Sequence, residues 1–423
     1  MLCSALIIGN RALLVVFRLM VVFLGFAGNV FAQGNKFVVQ NVSGISRKAE
    51  PMVISRENLA GIIRIPDKQL PQLYYDETDK LIPTQVDDLS GDGKWDELAF
   101  QIDLERSSEV IVRVKWFDAD EYKPATFGVH AGLYGGGTNG NWKLLESEYK
   151  VESTSAGSPN YYLEGPVWES EKVAFRHCFD GRLCTLPIGK KQTGLLRETF
   201  QLGKKKDDWA KEILHFDTSI GICGFAINDG SGYKLPAGAG ACSYRLIARG
   251  PVRAIFDLIY EDWQLGDAMV NVRQRNQIWS GQNGYKTEIF FGGFEGERDV
   301  ILAMPLSASL QKAENASLNR SYTSLTWHGA VGDDHEMAGM ALIASATQVK
   351  GVVQPDEAHW PEGIKRKSVA LKFRVASGQS IPCQLFFGWE KANDYYGNAV
   401  QFKNELQLMG DMLDKPLKIA DVK

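Results

Sequence analysis

Between Glu109 and Trp116 the chain alternates strictly. Val110, Val112, Val114 and Trp116 fall on one side, with Arg113 and Lys115 on the other. A period of two places alternate side chains on opposite faces of an extended strand, so one face is dry and the other wet. The pattern returns at Leu98–Ile102, Gly250–Tyr260, Lys286–Gly292, Val300–Met304, Ala338–Ser345 and Gln384–Trp389. Long helical patterns are almost missing, and 42 glycines with 11% aromatics suit strands and turns. The expected fold is all-β. One segment departs from it: Phe402, Leu406, Met409 and Leu413 recur at helical spacing before Pro416. This predicts an amphipathic C-terminal helix packed against a sheet.

Residues 84–98 carry oxygen side chains at alternate positions, Asp88, Ser90 and Asp92, then Gly93, then Asp96 and Glu97. A hard cation takes six to eight oxygens, and a tightly coiled loop turns every second residue inward. Gly93 permits the sharp turn, and Lys94 offers its backbone carbonyl. The expected ligands for a structural calcium ion are therefore Asp88, Ser90, Asp92, Lys94, Asp96 and Glu97. The competing reading is an Asp/Gly-rich hairpin turn without an ion.

Arg11 and Arg18 precede the apolar run 19–28, and Val30-Phe31-Ala32 offers small residues at a cleavage point. This is the pattern of a secretory signal peptide over residues 1–32. The long lead before Arg18 points to a start near Met20. A retained anchor is the alternative, but the run is short for a span. A periplasmic or secreted location is expected, with no membrane association after signal removal. The remaining chain of about 390 residues suits two domains or one large β domain. We expect an N-terminal β-sandwich module over 33–120, a Gly-rich linker over 121–143 and a large β domain over 144–423. The net charge of −4 gives no case for nucleic acid. Cys178, Cys184, Cys223, Cys242 and Cys383 remain after processing. Cys178–Cys184 or Cys223–Cys242 bridges are possible, as are buried thiols.

Candidate chemistry concentrates between Tyr162 and Arg182. Trp168 offers a flat face for a sugar ring. Glu169 suits acid or base work and His177 a proton shuttle. Arg176 and Arg182 suit carboxylates. Asp208, Trp209, His215 and Tyr285 are further candidates. Arg273 and Arg275 alternate with Gln274 and Asn276 in a strand that lines a polar cleft or lies at a sheet edge. The competing reading for the 162–182 run is a strand and turn with salt-bridged charges. No Gly-x-Ser-x-Gly elbow and no His-Glu-x-x-His helix occurs, which disfavours serine hydrolases and zinc proteases.

The runs Asn41–Pro51, Gln85–Phe100, Gly165–Asp180, Gly250–Phe256 and Phe386–Glu390, with Lys415-Pro416-Leu417, resemble a secreted family of unknown function numbered forty-eight sixty-one. The resemblance spans nearly the whole mature chain. It implies a large domain similar to the β-supersandwich of galactose mutarotases and some polysaccharide lyases, following the small β module and ending in the helix. It also implies an acidic-glycan context. Many members have a Tyr-His pair where this chain has Lys204-Lys205-Lys206-Asp207. The expected activity is a lyase or hydrolase on uronic-acid-containing glycans. A lyase would draw on Arg176, Arg182, Arg273 or Arg275 for the carboxylate and on His177, His215 or Tyr285 for the protons. Glu169 with Asp208 would suit a hydrolase. The alternatives are a carbohydrate-binding protein, with Trp168 and Trp209 as platforms, and a mutarotase-type epimerase.

Overall fold

The computed structural model describes residues 34–136, 142–145, 147–151, 161–179, 184–198, 209–214, 219–236, 239–306, 313–332, 335–354 and 368–422. Residues 35–423 form one compact unit. The architecture is all-β, as the alternation requires. Among the described residues no helix is long and apolar enough to cross a membrane.

The N-terminal module is a small sandwich. A five-stranded sheet contains Lys36–Asn41, Leu70–Tyr75 and Ser108–Phe117, and a three-stranded sheet contains Arg47–Ser55, Thr84–Asp87 and Glu97–Leu104. Phe37, Val39, Leu73, Phe100, Ile102, Val112 and Val114 fill the space between them. Val112 and Val114 are buried while Arg113 and Lys115 are half-exposed, as period two demands. The chain's last strand, Lys418–Asp421, pairs antiparallel with Lys36–Asn41. The module is thus closed by residues from the far end of the sequence, which no local pattern announces.

The larger part is built on a nine-stranded antiparallel sheet. Its central members are Arg253–Leu265, Ala268–Trp279, Gly284–Gly292, Ser380–Trp389 and Glu336–Ser345. Two five-stranded sheets cover its inner face. One places Trp168 and Phe175 against Phe256 and Tyr285. The other places Phe225 against Tyr260, Trp263 and Phe291. Offset and edge-on ring packing of this kind suits close-packed aromatic cores.

The stretch expected as a linker is not one throughout. Val129–Gly132 is a buried strand paired with Val167–Ser170. Four residues, Val-His-Ala-Gly, are too few to show a period. The Ala268–Trp279 strand is the fourth member of the nine-stranded sheet, so its polar character does not mark an edge.

The helix forms at Ala399–Asp414, capped by the Asn398 side chain on Val400 N and Gln401 N. Phe402 and Leu406 bury against Ala341, Ile343 and Phe386 on the outer face of the large sheet. Phe402 seats on Gly339, where a Cβ would lie 2.6 Å from the ring. Any larger residue at 339 would lift the helix. None of the five remaining cysteines forms a disulfide among the described residues; Cys242 is half-buried and the others are buried.

Candidate functional site

Alternation along Ala268–Trp279 sends Gln274 and Asn276 inward and Arg273, Arg275 and Gln277 outward. The neighbouring strands continue these outward positions in register. Gln277 faces Lys286, which faces Gln384; Arg275 faces Glu288, which faces Pro382; Arg273 faces Phe290, which faces Ser380. The outer face is therefore a ladder of polar rows, bounded by the module at one end and by the C-terminal helix at one side.

Where these walls meet the sheet there is a cleft of about 280 Å3. The module strand gives Glu50 and Pro51, the sheet gives Gln277, Trp279, Lys286 and Gln384, and the helix gives Met409, Met412 and Leu413. An apolar wall with a few convergent polar groups is the usual make-up of a small-molecule site. Burial raises the Glu50 carboxyl above the ordinary carboxylate range, and the Arg47 guanidinium, 3.3 Å away, opposes the rise. Arg47 is itself buried and donates to Lys415 O at 2.7 Å, tying this wall to the end of the helix.

A clamp holds the module to the sheet. Gln85 Oε1 accepts from Val252 N and Arg253 N, and its Nε2 donates to Arg253 O. Arg253 Nε lies 2.6 Å from Asp87 and its other end 2.5 Å from Glu97. Gln101 donates to Ser280 O at 2.8 Å. The runs 85–100 and 250–256 meet here.

Glu97 therefore faces Arg253 and leaves the expected calcium set. In the rest of that loop Ser90 to Lys94 are exposed, Asp88 and Asp96 are half-buried, and the bonds are internal. Asp88 accepts from Gly91 N, Asp92 N and Gly93 N, Asp96 from Leu89 N and Ser90 N, and Asp92 from Lys94 N. Desolvation pushes the Asp88 carboxyl up, but the Gly93, Gly91 and Asp92 amides outweigh it and hold the group below its ordinary value. Gly91 and Gly93 both take positive φ, which glycine adopts without strain. Among the described residues no three acidic, Cys or His side chains converge as a metal cage. The donor types still suit a hard cation.

The other expected residues fall elsewhere. Trp168 is core, 1% exposed, with its ring spent on Phe175, Phe256 and Tyr285, so it presents no platform. Glu169 is wholly buried: Lys190 Nζ lies 2.5 Å away, and the carboxylate accepts from Leu196 N and Arg197 N. Arg176 sits between Glu164 and Glu212. Trp209 is half-buried, with Lys190 over its ring at 5.7 Å. Arg275 is bidentate to buried Asp257 at 2.8 and 2.9 Å. Within the 162–182 run, Glu169 and Arg176 are thus engaged in ion pairs. Asp208, His215 and Arg182 lie outside the described residues.

His177 and Tyr285 come together, but inside. His177 Nδ1 is 3.0 Å from Thr185 Oγ1, and its Nε2 is 3.5 Å from Tyr260 Oη. The Tyr285 hydroxyl lies beside Cys223 and Thr185, and burial drives it well above its ordinary value. Gly165 belongs to the same region: a Cβ there would sit 1.9 Å from His177 O. The close approach requires glycine at the head of the Gly-Pro-Val-Trp-Glu-Ser run.

A further buried histidine escaped the sequence reading. His130 Nε2 lies 2.5 Å from Tyr134 Oη. Burial, then the Arg197 and Arg249 charges, hold its imidazole down at about 3 against 6.5. The unfolded chain gains this proton as pH falls below its ordinary value, while the folded chain resists it until about 3. The His130 contribution to stability is therefore complete above pH 6.5 and is lost toward pH 3. We expect His130→Phe to flatten the fall in urea midpoint between pH 7 and 4; an unchanged slope would show that His130 does not set it.

Glu50, Gln277, Trp279, Lys286 and Gln384 were also missed. Gln277 and Trp279 end a strand already marked as polar, but nothing local links them to Glu50.

No curated protein matches the chain. Among solved structures, an alpha-mannosidase from Enterococcus faecalis V583 aligns at 9% identity and TM-score 0.40, covering 92% of this chain and 46% of its own. A glycosyl hydrolase family 38 protein from Enterococcus faecalis aligns at 8% identity and TM-score 0.45, covering 92% and 48%. This chain thus spans about half the length of those two. A putative aldose 1-epimerase from Klebsiella pneumoniae subsp. pneumoniae MGH 78578 aligns at 7% identity and TM-score 0.26, covering 44% and 61%. The family model described as a domain of unknown function (DUF4861) matches residues 39–419, and the chain belongs to that family.

Proposed function

We propose that this protein is an extracytoplasmic carbohydrate-active protein whose sugar site is the cleft at Trp279, acting on uronic-acid-containing glycans as a lyase or hydrolase. The observation that carries the proposal is the cleft's composition. Met409, Met412 and Leu413 supply apolar surface for the C–H face of a sugar, the edge of the largely buried Trp279 (8% exposed) closes the floor, and Gln277, Gln282 and Gln384 supply amides for hydroxyls. Lys286 supplies a cation for a carboxylate. Glu50, raised by burial, keeps its proton to higher pH than an exposed carboxyl and can deliver it to a departing glycosidic oxygen.

The test is incubation with a panel of acidic oligosaccharides and free monosaccharides, following unsaturated-uronate absorbance, reducing ends and optical rotation. Glu50→Gln is expected to cut turnover about 100-fold or more, the scale of a lost general acid, with binding retained. Turnover that ignores Glu50→Gln and Lys286→Met removes the cleft from the mechanism. Change confined to optical rotation of monosaccharides selects the epimerase reading.

A non-catalytic binding role is the second reading. It is favoured by Glu50 being the one carboxylate among the described residues that line the cleft. Saturable binding without turnover selects it.

We also propose a structural calcium ion at Asp88, Ser90, Asp92, Asp96 and the Lys94 carbonyl. An ion held only by the folded state raises the melting temperature by linkage. Calcium is expected to raise it in the native chain and not in Asp92→Ala. Equal responses move the site elsewhere.

A further inference from the structure

The polar face beside the cleft leads to a second hollow. Gln384 lines the cleft, and Ser380, four residues away on the same strand and face, lines a hollow of about 640 Å3 that also holds Gln348, Lys350, Glu297 and Arg374, the last paired to Asp299 at 2.9 Å. Four residues of strand span about 13 Å. The rows between are half-buried or exposed apart from Asp257, so they stay open rather than packed under another element.

The charges along this face are not equivalent. Arg275 is spent on Asp257, and Glu288 alongside accepts from Ser380 Oγ at 2.9 Å. Lys286 and Arg273 differ: among the described residues neither has a carboxylate within ion-pair distance. Arg273 Cζ sits over the Phe290 ring, 4.2 Å from its centroid. A guanidinium held over a ring face keeps N–H donors for a planar anion, which a flexible ammonium grips less well. Phe290 itself is half-buried and borders the same row.

We propose that cleft, ladder and second hollow form one binding track for an extended acidic oligosaccharide. This rests on the sugar-cleft reading and deepens it. Lys286 and Arg273, four residues apart in strand terms and so about 13 Å, each take a ligand carboxylate. Glu288 and Arg275 between them meet hydroxyls. The span exceeds one pyranose ring, so the ligand is a chain rather than a monosaccharide.

Calorimetric titration of the full chain with oligouronates of two and of six sugars tests this. Affinity is expected to rise with length. Arg273→Gln is expected to weaken the six-sugar ligand about tenfold, the scale of one charge-assisted contact, and to leave the two-sugar ligand unchanged. Phe290→Ala should act in the same direction, and Arg273→Lys should restore part of the loss. Unchanged melting temperatures confirm that each variant folds. Equal affinity for both lengths, or a length gain indifferent to Arg273 and Phe290, overturns the track while leaving the cleft. Two-sugar binding that survives Trp279→Ala and Lys286→Met overturns the cleft reading and the track built on it. No binding at either length overturns both.

Discussion

Lys190→Met is expected to lower the unfolding free energy by about 3–5 kcal/mol, the usual cost of breaking a buried ion pair from one side. Lys190 Nζ lies 2.5 Å from Glu169, 2.6 Å from Ser170 O and 2.7 Å from Gly194 O. Both side chains are essentially without solvent contact. Water cannot replace the ammonium, so the buried Glu169 carboxylate would lose its counter-ion. Glu169 also anchors Leu196 N and Arg197 N, so the 194–197 segment loosens with it. Denaturant midpoints measure the loss. The paired change Glu169→Gln with Lys190→Met should recover part of it: no charge is left buried, and the one amide oxygen can still accept from either Leu196 N or Arg197 N, though not from both. A single variant as stable as the native chain would mean that the pair is relaxed by solvent after all.

Arg253→Met should cost a similar amount, about 3–5 kcal/mol at neutral pH, and by a different route. Arg253 serves Asp87 and Glu97 together, at the seam between module and large sheet. Burial already raises the Asp87 carboxyl, and the Arg253 charge is the first force opposing that rise. Without the arginine the folded-state value climbs further above the unfolded one. A carboxyl raised in this way destabilises the fold where it must ionise, and the penalty fades as pH falls through the folded value. The deficit of the variant is therefore expected to shrink between pH 7.5 and pH 4.5. Urea midpoints at both values check it; a constant deficit would assign the loss to packing rather than to charge. Because Glu50 reaches the cleft from the same module, the sugar binding proposed for the cleft should weaken with the seam.

Fold class was readable because period two is a local signal. Val112 and Val114 against Arg113 and Lys115 needed only neighbours in sequence, and so did the helix through Phe402 and Leu406. The candidate site was less readable. Trp168 and Glu169 drew attention as reactive types, yet a residue type does not say whether its partners already satisfy it. Lys190 is 21 residues from Glu169 and Arg253 is 166 from Asp87, so neither pairing has a local signature.

The sequence by itself determined that this chain is a β protein with one terminal helix, which family it belongs to, and that the 268–279 strand carries polar groups on both faces. Only the tertiary structure decided that Gln274 and Asn276 face the core, that Arg275 is spent on Asp257 while Arg273 is not, and that Glu50 stands opposite Lys286's row. Alternation tells which residues share a face, but burial is set by what packs on that face. Here the inner face is covered by the two five-stranded sheets, while the walls of the outer-face cleft come from residues 47–55 and 399–414, at opposite ends of the chain.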